Sequence, residues 1–112
     1  MAEVMRQIDE YEAREIIGRW IRSERTERLK LSRAEFVAHL KSQGIKRLSP
    51  SAVRWYEEGN QMPKPSLLVA LLRALDTEPP ECRMLLAARV CLDVSDFIEL
   101  LSDACGSWDV LE

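Results

Sequence analysis

The sequence predicts an all-α fold, a bundle of four to five helices with an added helical segment at the C-terminus. Two observations carry this prediction. Apolar residues recur at helical spacing in nearly every segment, and no stretch alternates between apolar and polar residues for long. Helix starts are also marked by capping residues and prolines, in the segments 32–35, 49–50 and 78–80. Together they predict five or six helices and no sheet.

The first two helices are defined by an apolar stripe and by a capping motif. Helix one is predicted from about residue 9 to about residue 28, because its apolar residues fall on one helical face. These residues are Ala13, Ile16, Ile17, Trp20 and Ile21. Helix two begins after Ser32, which can form a capping box with Glu35. We expect it to end near Gly44, because glycine readily adopts the left-handed conformation that stops a helix.

The remaining helices are predicted from similar signals. Helix three starts at residues 49–50, a serine cap followed by a proline at the first helical position, and must end by Gly59. Helix four, at about 66–75, is apolar nearly all round and is expected to be the central buried helix. Helix five starts at 78–81 and helix six at 93–96, each with an apolar stripe of its own.

The charge of the chain is unevenly distributed. The 112 residues carry a net charge of −3, which at face value argues against a nucleic-acid partner. Residues 1–18 contribute −3, residues 19–64 contribute +6 and residues 65–112 contribute −6. A basic middle segment therefore lies between two acidic ends, and the net charge does not exclude DNA binding.

Several classes of protein are excluded by what the sequence lacks. No apolar run approaches the ~18–20 residues that span a bilayer, and no signal peptide is recognisable. The 3 cysteines form no C-x-x-C pair, which favours reduced thiols in a cytoplasm. The single histidine, His39, has no partner at metal-site spacing, and no catalytic motif appears. We expect a cytoplasmic, nucleoid-associated protein that is not an enzyme and has no cofactor, metal or membrane partner.

Helices two and three, flanked by helices one and four, have the layout of a helix-turn-helix. On a helical wheel, Val53 of helix three faces the core, with Glu57 close to the same side. The opposite side carries Ser51, Arg54, Trp55 and Glu58. Arginine can fork to guanine O6 and N7, serine bonds to most bases, and an aromatic ring can contact a thymine methyl. We therefore expect Ser51, Arg54 and Trp55 to contact bases in the major groove, with burial in the core as the alternative for Trp55.

Four motifs in register with these helices carry a family resemblance. They are Ile17-Gly18-x-x-Ile21-Arg22-x-x-Arg25, Leu31-Ser32-x-x-Glu35-Phe36-Val37, Ser49-x-x-x-Val53-x-x-Tyr56-Glu57-x-Gly59-x-x-x-Pro63 and Leu68-x-x-Leu71-x-x-x-Leu75. Over about residues 16–76 the chain resembles the Cro/repressor-type (XRE-like) helix-turn-helix regulators. The resemblance implies a lambda-repressor-like bundle that binds double-stranded DNA. The chain departs from the family at 41–48, which make the link between helices two and three longer than usual.

The family pattern implies an internal ion pair between an arginine late in helix one and the glutamate that ends helix three. Arg25 and Glu57 match these two positions. The helical wheel independently turns Glu57 toward the core. We hypothesise that this pair sets the pose of the recognition helix, and the alternative is that both residues are solvated charges.

A further group of residues is expected to contact the DNA phosphates because of its position around the recognition helix. The group consists of Arg33 at the start of helix two, Lys46, Arg47 and Ser49 before helix three, and Asn60, Gln61 and Lys64 after it. At the start of helix two, free backbone N–H groups favour a phosphate. The alternative for each residue is an ordinary solvated surface position.

The C-terminal helices carry more apolar residues than one small bundle requires. The surplus consists of Leu85, Leu86, Val90, Phe97, Ile98, Leu101, Trp108 and Leu111. A single helix-turn-helix buries too little DNA for tight specific binding, so such proteins usually form dimers on a two-fold site. We expect residues 79–112 to form a dimerisation segment, after a DNA-binding domain at 14–78 and an extension of helix one at 1–13. For about half of the set, the alternative is the core of the same chain.

The sequence favours a sequence-specific DNA-binding transcriptional regulator, a phage or bacterial repressor that binds a two-fold operator as a homodimer. One alternative is the antitoxin of a toxin–antitoxin pair, in which the acidic C-terminus would suit a basic toxin. The other is a protein-interaction adaptor that keeps this fold without binding DNA. A salt-dependent affinity for duplex DNA would distinguish a regulator from an adaptor.

Overall fold

The computed structural model describes residues 9–91, and the regular structure in this range is entirely helical. The elements are α1 (Glu10–Ser23), a π-helical turn (Glu24–Arg28), α2 (Arg33–Ser42), α3 (Pro50–Glu57), α4 (Pro65–Ala74) and α5 (Pro79–Arg89). The all-α prediction is confirmed. The sixth helix, predicted to start at residues 93–96, lies outside the described residues.

Helices α2 and α3 begin at the capping residues expected from the sequence. At α2, Ser32 Oγ accepts a hydrogen bond from the Glu35 backbone N–H at 3.2 Å, and the Ser32 N–H donates to Glu35 Oε1 at 2.9 Å. At α3, Ser49 Oγ accepts from the Ala52 N–H at 3.1 Å, and Pro50 follows at the first helical position. Each cap satisfies a backbone donor that the first turn leaves without a partner, which fixes where α2 and α3 start.

Helices α2 and α3 end at glycines in the left-handed conformation. Gly44 has φ 95° and Gly59 has φ 74°, values that a residue with a Cβ adopts only at a steric cost. After α3, the Gly59 N–H donates to the Tyr56 carbonyl at 3.1 Å and the Asn60 N–H donates to the Trp55 carbonyl at 3.0 Å. This paired closure stops α3 after two turns.

A single hydrophobic core joins the helices. Its large, fully buried side chains are Phe36, Ile17, Ile21, Leu40, Leu68, Leu71, Leu75, Leu85 and Val53. Helix α1 packs against both α3 and α5, while α2 packs against α3 and α4 against α5. The core contains Leu85 and Ala88 of α5, so α5 completes the same bundle as the preceding helices. Within residues 9–91, no helix is long and apolar enough to cross a membrane.

The long link between α2 and α3 is anchored at two points. Ile45 and Leu48 are both buried in the core, whereas Lys46 and Arg47 between them are exposed. At the other end of α3, the Arg89 guanidinium of α5 donates to the Pro63 carbonyl at 2.8 Å. The segments on both sides of α3 are therefore tied to the bundle, and α3 is held at both ends.

Candidate nucleic-acid interface

Helix α3 has one buried face and one exposed face, as the helical wheel predicts. Val53 is buried, while Ser51, Arg54 and Trp55 are exposed. The Trp55 side chain is 56% exposed, so the alternative in which it folds back into the core does not apply to this structure. The exposed face presents a hydroxyl, a guanidinium and an aromatic ring side by side. Contact of these groups with DNA bases stays a prediction.

The inner side of α3 is joined to the end of helix one by an ion pair. Arg25 donates from Nε to Glu57 Oε2 at 2.6 Å and from Nη2 to Glu57 Oε1 at 2.9 Å. The Glu57 side chain is 1% exposed and that of Arg25 is 11% exposed. The two residues matched to the family pattern are therefore in contact. They form a two-point, charge-assisted contact that fixes orientation as well as distance.

Arg33 is a third member of this cluster, which the sequence did not indicate. Its Nη2 lies 3.1 Å and its Nε 3.3 Å from Glu57 Oε1, and its side chain is 37% exposed. Glu57 thus receives hydrogen bonds from two arginines, one on helix one and one at the start of α2. Two guanidinium groups and one carboxylate give the cluster a net charge of +1. Arg33 is the most exposed of the three side chains, so it presents this charge to the solvent.

The cluster determines the ionisation of its members. Burial alone disfavours the charged form of Glu57, but the hydrogen bonds and charges of Arg25 and Arg33 outweigh it and lower the pKa of the Glu57 carboxyl. The hydrogen bond from Arg25 to Glu57 raises the pKa of the guanidinium in turn. Glu57 and Arg25 are therefore both charged at neutral pH, and neither is an isolated buried charge.

The π-helical turn presents Arg25 to this cluster. Within the turn, the Leu29 N–H donates to the Glu24 carbonyl at 3.0 Å, an i to i+5 bond that widens the helix. Arg25 Nη1 also donates to the Leu31 carbonyl at 3.0 Å, while the Leu31 N–H donates to the Arg25 carbonyl at 2.9 Å. Both ends of Arg25 are fixed by these bonds, so its guanidinium is already oriented toward α3.

The close approach of α1 to α3 requires the glycine in the middle of α1. A Cβ placed on Gly18 would lie 2.3 Å from the Tyr56 carbonyl oxygen and 3.1 Å from that of Glu57. Only a residue without a side chain fits against this backbone. The family motif includes Gly18, but the motif alone does not indicate what the glycine does. The available signal is its position in mid-helix, where glycine is intrinsically unfavourable.

The family of the chain follows from the comparison with known proteins. A family model described as a helix-turn-helix domain matches residues 16–85. The chain belongs to the helix-turn-helix family. This match confirms the resemblance to XRE-like helix-turn-helix regulators drawn from the four motifs, and helix-turn-helix domains are DNA-binding modules. No match was found among curated proteins or solved structures.

Apart from Arg33, the residues expected at the phosphates lie in the segments that flank α3 along the chain. Six of the seven are exposed: Lys46, Arg47, Ser49, Asn60, Gln61 and Lys64. Arg33, the seventh, is half-buried because it also bonds to Glu57. A cleft of about 400 Å³ between the two loops is lined by Arg47, Gln61 and Lys64 among others. The structure thus brings together basic and amide groups from both sides of α3.

The structure describes three of the eight residues expected at a dimer interface. Leu85 is fully buried in the core of its own chain, the alternative given for about half of the set, and none of its side chain is left for a partner. Leu86 is half-buried and Val90 is 50% exposed. The others lie outside the described residues: Phe97, Ile98, Leu101, Trp108 and Leu111. The helix-turn-helix itself therefore accounts for Leu85, and the interface stays a prediction.

Proposed function

We propose that this helix-turn-helix protein is a sequence-specific transcriptional regulator that inserts α3 into the major groove of double-stranded DNA. The observation that carries the proposal is the exposed face of α3, which presents Ser51, Arg54 and Trp55 from a helix whose inner side is fixed by the Arg25–Glu57 pair. Base recognition requires such a fixed helix, because a bidentate contact tolerates little displacement.

Each residue of the exposed face has a role that follows from its chemistry. Arg54 is assigned to guanine, because the guanidinium fork matches the O6 and N7 acceptors in the major groove. Ser51 can donate to or accept from most bases, and it adds less discrimination. The ring of Trp55 contacts a thymine methyl group or the sugar beside it. Specificity thus depends mainly on Arg54.

The surrounding polar residues are assigned to the phosphates. Lys46, Arg47 and Ser49 reach one strand from the loop before α3, and Asn60, Gln61 and Lys64 reach the other from the loop after it. Arg33 meets a phosphate with the exposed part of its guanidinium, beside the free N–H groups at the start of α2. These contacts position the protein without reading sequence. A DNA-bound protein of this kind would act in the cytoplasm, at the nucleoid.

We propose repression by a homodimer that binds a two-fold operator. A repressor only has to occupy its operator, which a DNA-binding bundle does without a further activity. The domain from 14 to 78 would bind DNA, extended by residues 1–13, and residues 79–112 would contribute the dimer contact. Within the described part of this segment, Val90 and Met84 supply exposed apolar surface. Pairing two units doubles the buried DNA surface.

The salt dependence of DNA binding tests this function. The affinity for a duplex, measured by fluorescence anisotropy at several salt concentrations, should fall steeply, with a log–log slope that reflects several neutralised phosphates. The Lys46→Gln/Arg47→Gln variant should reduce that slope by about 2, at roughly 0.9 per phosphate contact. The matched control is Arg19→Gln/Arg73→Gln, which removes two exposed charges elsewhere. An affinity that is absent or independent of salt would favour the adaptor.

The dimer is tested separately by sedimentation of the full chain. At tens of micromolar, we expect a dimer that Val90→Glu shifts toward monomer, because a charge would be buried in the contact. Trp55→Glu is the matched control, since it also places a charge on an exposed apolar position but on the DNA-facing side. A parent protein that sediments only as a monomer would contradict the dimer.

A further inference from the structure

The exposed face of α3 carries an ion pair of its own. Arg54 Nε donates to Glu58 Oε2 at 3.2 Å, one helical turn further along the chain. The two side chains remain 63% and 43% exposed, so the pair contributes little to folding. The pair is distinguished by its position, because Glu58 holds Arg54, the arginine that we assign to guanine.

We propose that Glu58 is a specificity-determining residue of the DNA interface. It acts through Arg54, and in that sense it is a positioning residue. The inference rests on the proposed DNA-binding function, and it concerns how that function distinguishes the right sequence from others.

The first argument is the geometry of the guanidinium. A bond from Nε to Glu58 leaves Nη1 and Nη2 free at the far end of the Arg54 side chain. These two nitrogens form a fork that can donate to guanine O6 and N7 together. The bond also removes rotational freedom from a long side chain before DNA arrives, which lowers the entropic cost of the contact. Glu58 therefore favours one mode of base contact.

The second argument is charge. Within residues 9–91, Lys46, Arg47 and Lys64 form no ion pair, so their charges are free to attract any phosphate. Arg54 is the basic residue of the exposed face of α3, and Glu58 neutralises it. Near DNA, the Glu58 carboxylate is repelled by phosphates of every sequence. At a site with guanine opposite Arg54, the contact between the two offsets that repulsion. Glu58 therefore weakens binding to other sequences more than binding to the cognate site.

The test uses the full chain and two duplexes. One is the duplex that the parent protein enriches from a random pool, and the other is a scrambled duplex of equal length and composition. Glu58→Gln should raise the affinity for the scrambled duplex about 3–10-fold, and that for the enriched duplex by clearly less. The ratio of the two affinities should fall about 3-fold or more. Glu15→Gln is the matched control, because it breaks the similar Glu15–Arg19 pair on α1, and it should leave the ratio unchanged.

A double-mutant cycle separates positioning from simple repulsion. In an Arg54→Ala background, Glu58→Gln should change both affinities by the same factor, since no guanidinium is left to position. The inference would be overturned if Glu58→Gln changed the affinities for both duplexes by the same factor in the parent background. It would also be overturned if Glu58→Gln lowered the ratio of the two affinities as much in the Arg54→Ala background as in the parent. A parent protein that binds no duplex would instead overturn the proposed function, and the inference with it.

Discussion

The two sides of α3 each carry an arginine–glutamate pair, and the pairs differ in almost every physical respect. On the inner side, Arg25 and Glu57 form two short bonds of 2.6 and 2.9 Å and are nearly excluded from solvent. On the outer side, Arg54 and Glu58 form one bond of 3.2 Å between exposed side chains. The same two residue types therefore stabilise the fold in one place and, in our proposal, contribute to DNA recognition in the other.

Burial explains this division. A buried charge that loses its partner is costly, so the inner pair is effectively fixed once the chain has folded. An exposed i, i+4 pair contributes only about 0.3–0.5 kcal/mol, so the outer pair is not needed for the fold and can orient Arg54 for a ligand. The inner pair is suited to hold the pose of α3, and the outer pair is suited to orient a side chain toward a ligand.

The comparison predicts its largest effect for Arg25→Ala. Removing this guanidinium leaves Glu57 with the half-buried Arg33 as its remaining partner, and we expect the free energy of unfolding to fall by about 3 kcal/mol, the lower end of the cost of breaking a buried ion pair. Arg54→Ala removes the outer arginine and should change the free energy of unfolding by less than about 0.5 kcal/mol. Urea denaturation followed by circular dichroism measures both. If both variants lost the same free energy of unfolding, the inner and outer pairs would not differ in their contribution to the fold.

We expect a smaller change in the free energy of unfolding for Gly18→Ala, and the sign of this change is what tests the contact between α1 and α3. Intrinsic helix propensity alone would make alanine more favourable here by about 1 kcal/mol. The Tyr56 carbonyl lies only 2.3 Å from the position of the new Cβ, so α1 and α3 would have to separate. We expect a net loss of about 1–3 kcal/mol of stability, typical of an overpacked contact. A higher midpoint of thermal unfolding would show that the two helices do not need this approach.

The smallest effect is a difference in pH dependence. Because the pKa of Glu57 is lower in the folded protein than its ordinary value of 4.5, its contribution to stability is present above that value. The contribution is lost as the pH falls through the lowered folded pKa. Between roughly pH 5 and roughly pH 3, the parent should therefore lose more stability than Glu57→Gln, which has no proton to bind. If the unfolding free energies of the parent and of Glu57→Gln changed with pH in parallel, Glu57 would not be stabilised as a charged partner in an ion pair.

The sequence predicted the helices well because their boundaries are set locally. The caps at Ser32 and Ser49 and the glycines at 44 and 59 act within one or two turns, so their chemistry can be recognised without knowing the fold. The exposure of Arg54 and Trp55 followed from the 3.6-residue period for the same reason. What depends on periodicity and capping was thus available from the chain alone.

The interactions between distant segments were not available in the same way. The contact of Arg33 with Glu57 depends on how the start of α2 meets the end of α3, 24 residues later, and no local pattern encodes that distance. The requirement for Gly18 depends on the crossing of α1 and α3. The sequence left two alternatives for Leu85, a dimer interface and the core of its own chain, because an apolar stripe does not show what it packs against.

The most direct test of the account is selection of duplexes from a random pool by the parent protein and by Arg54→Ala in parallel. We predict that the parent enriches a two-fold symmetric sequence, with half-sites separated by about one helical turn (~10 base pairs) and a guanine in each. Arg54→Ala should fold normally and lose the preference for that guanine. Enrichment of the same guanine by both proteins would contradict the assignment of the outer side of α3 to base recognition, as would a parent that enriches no sequence.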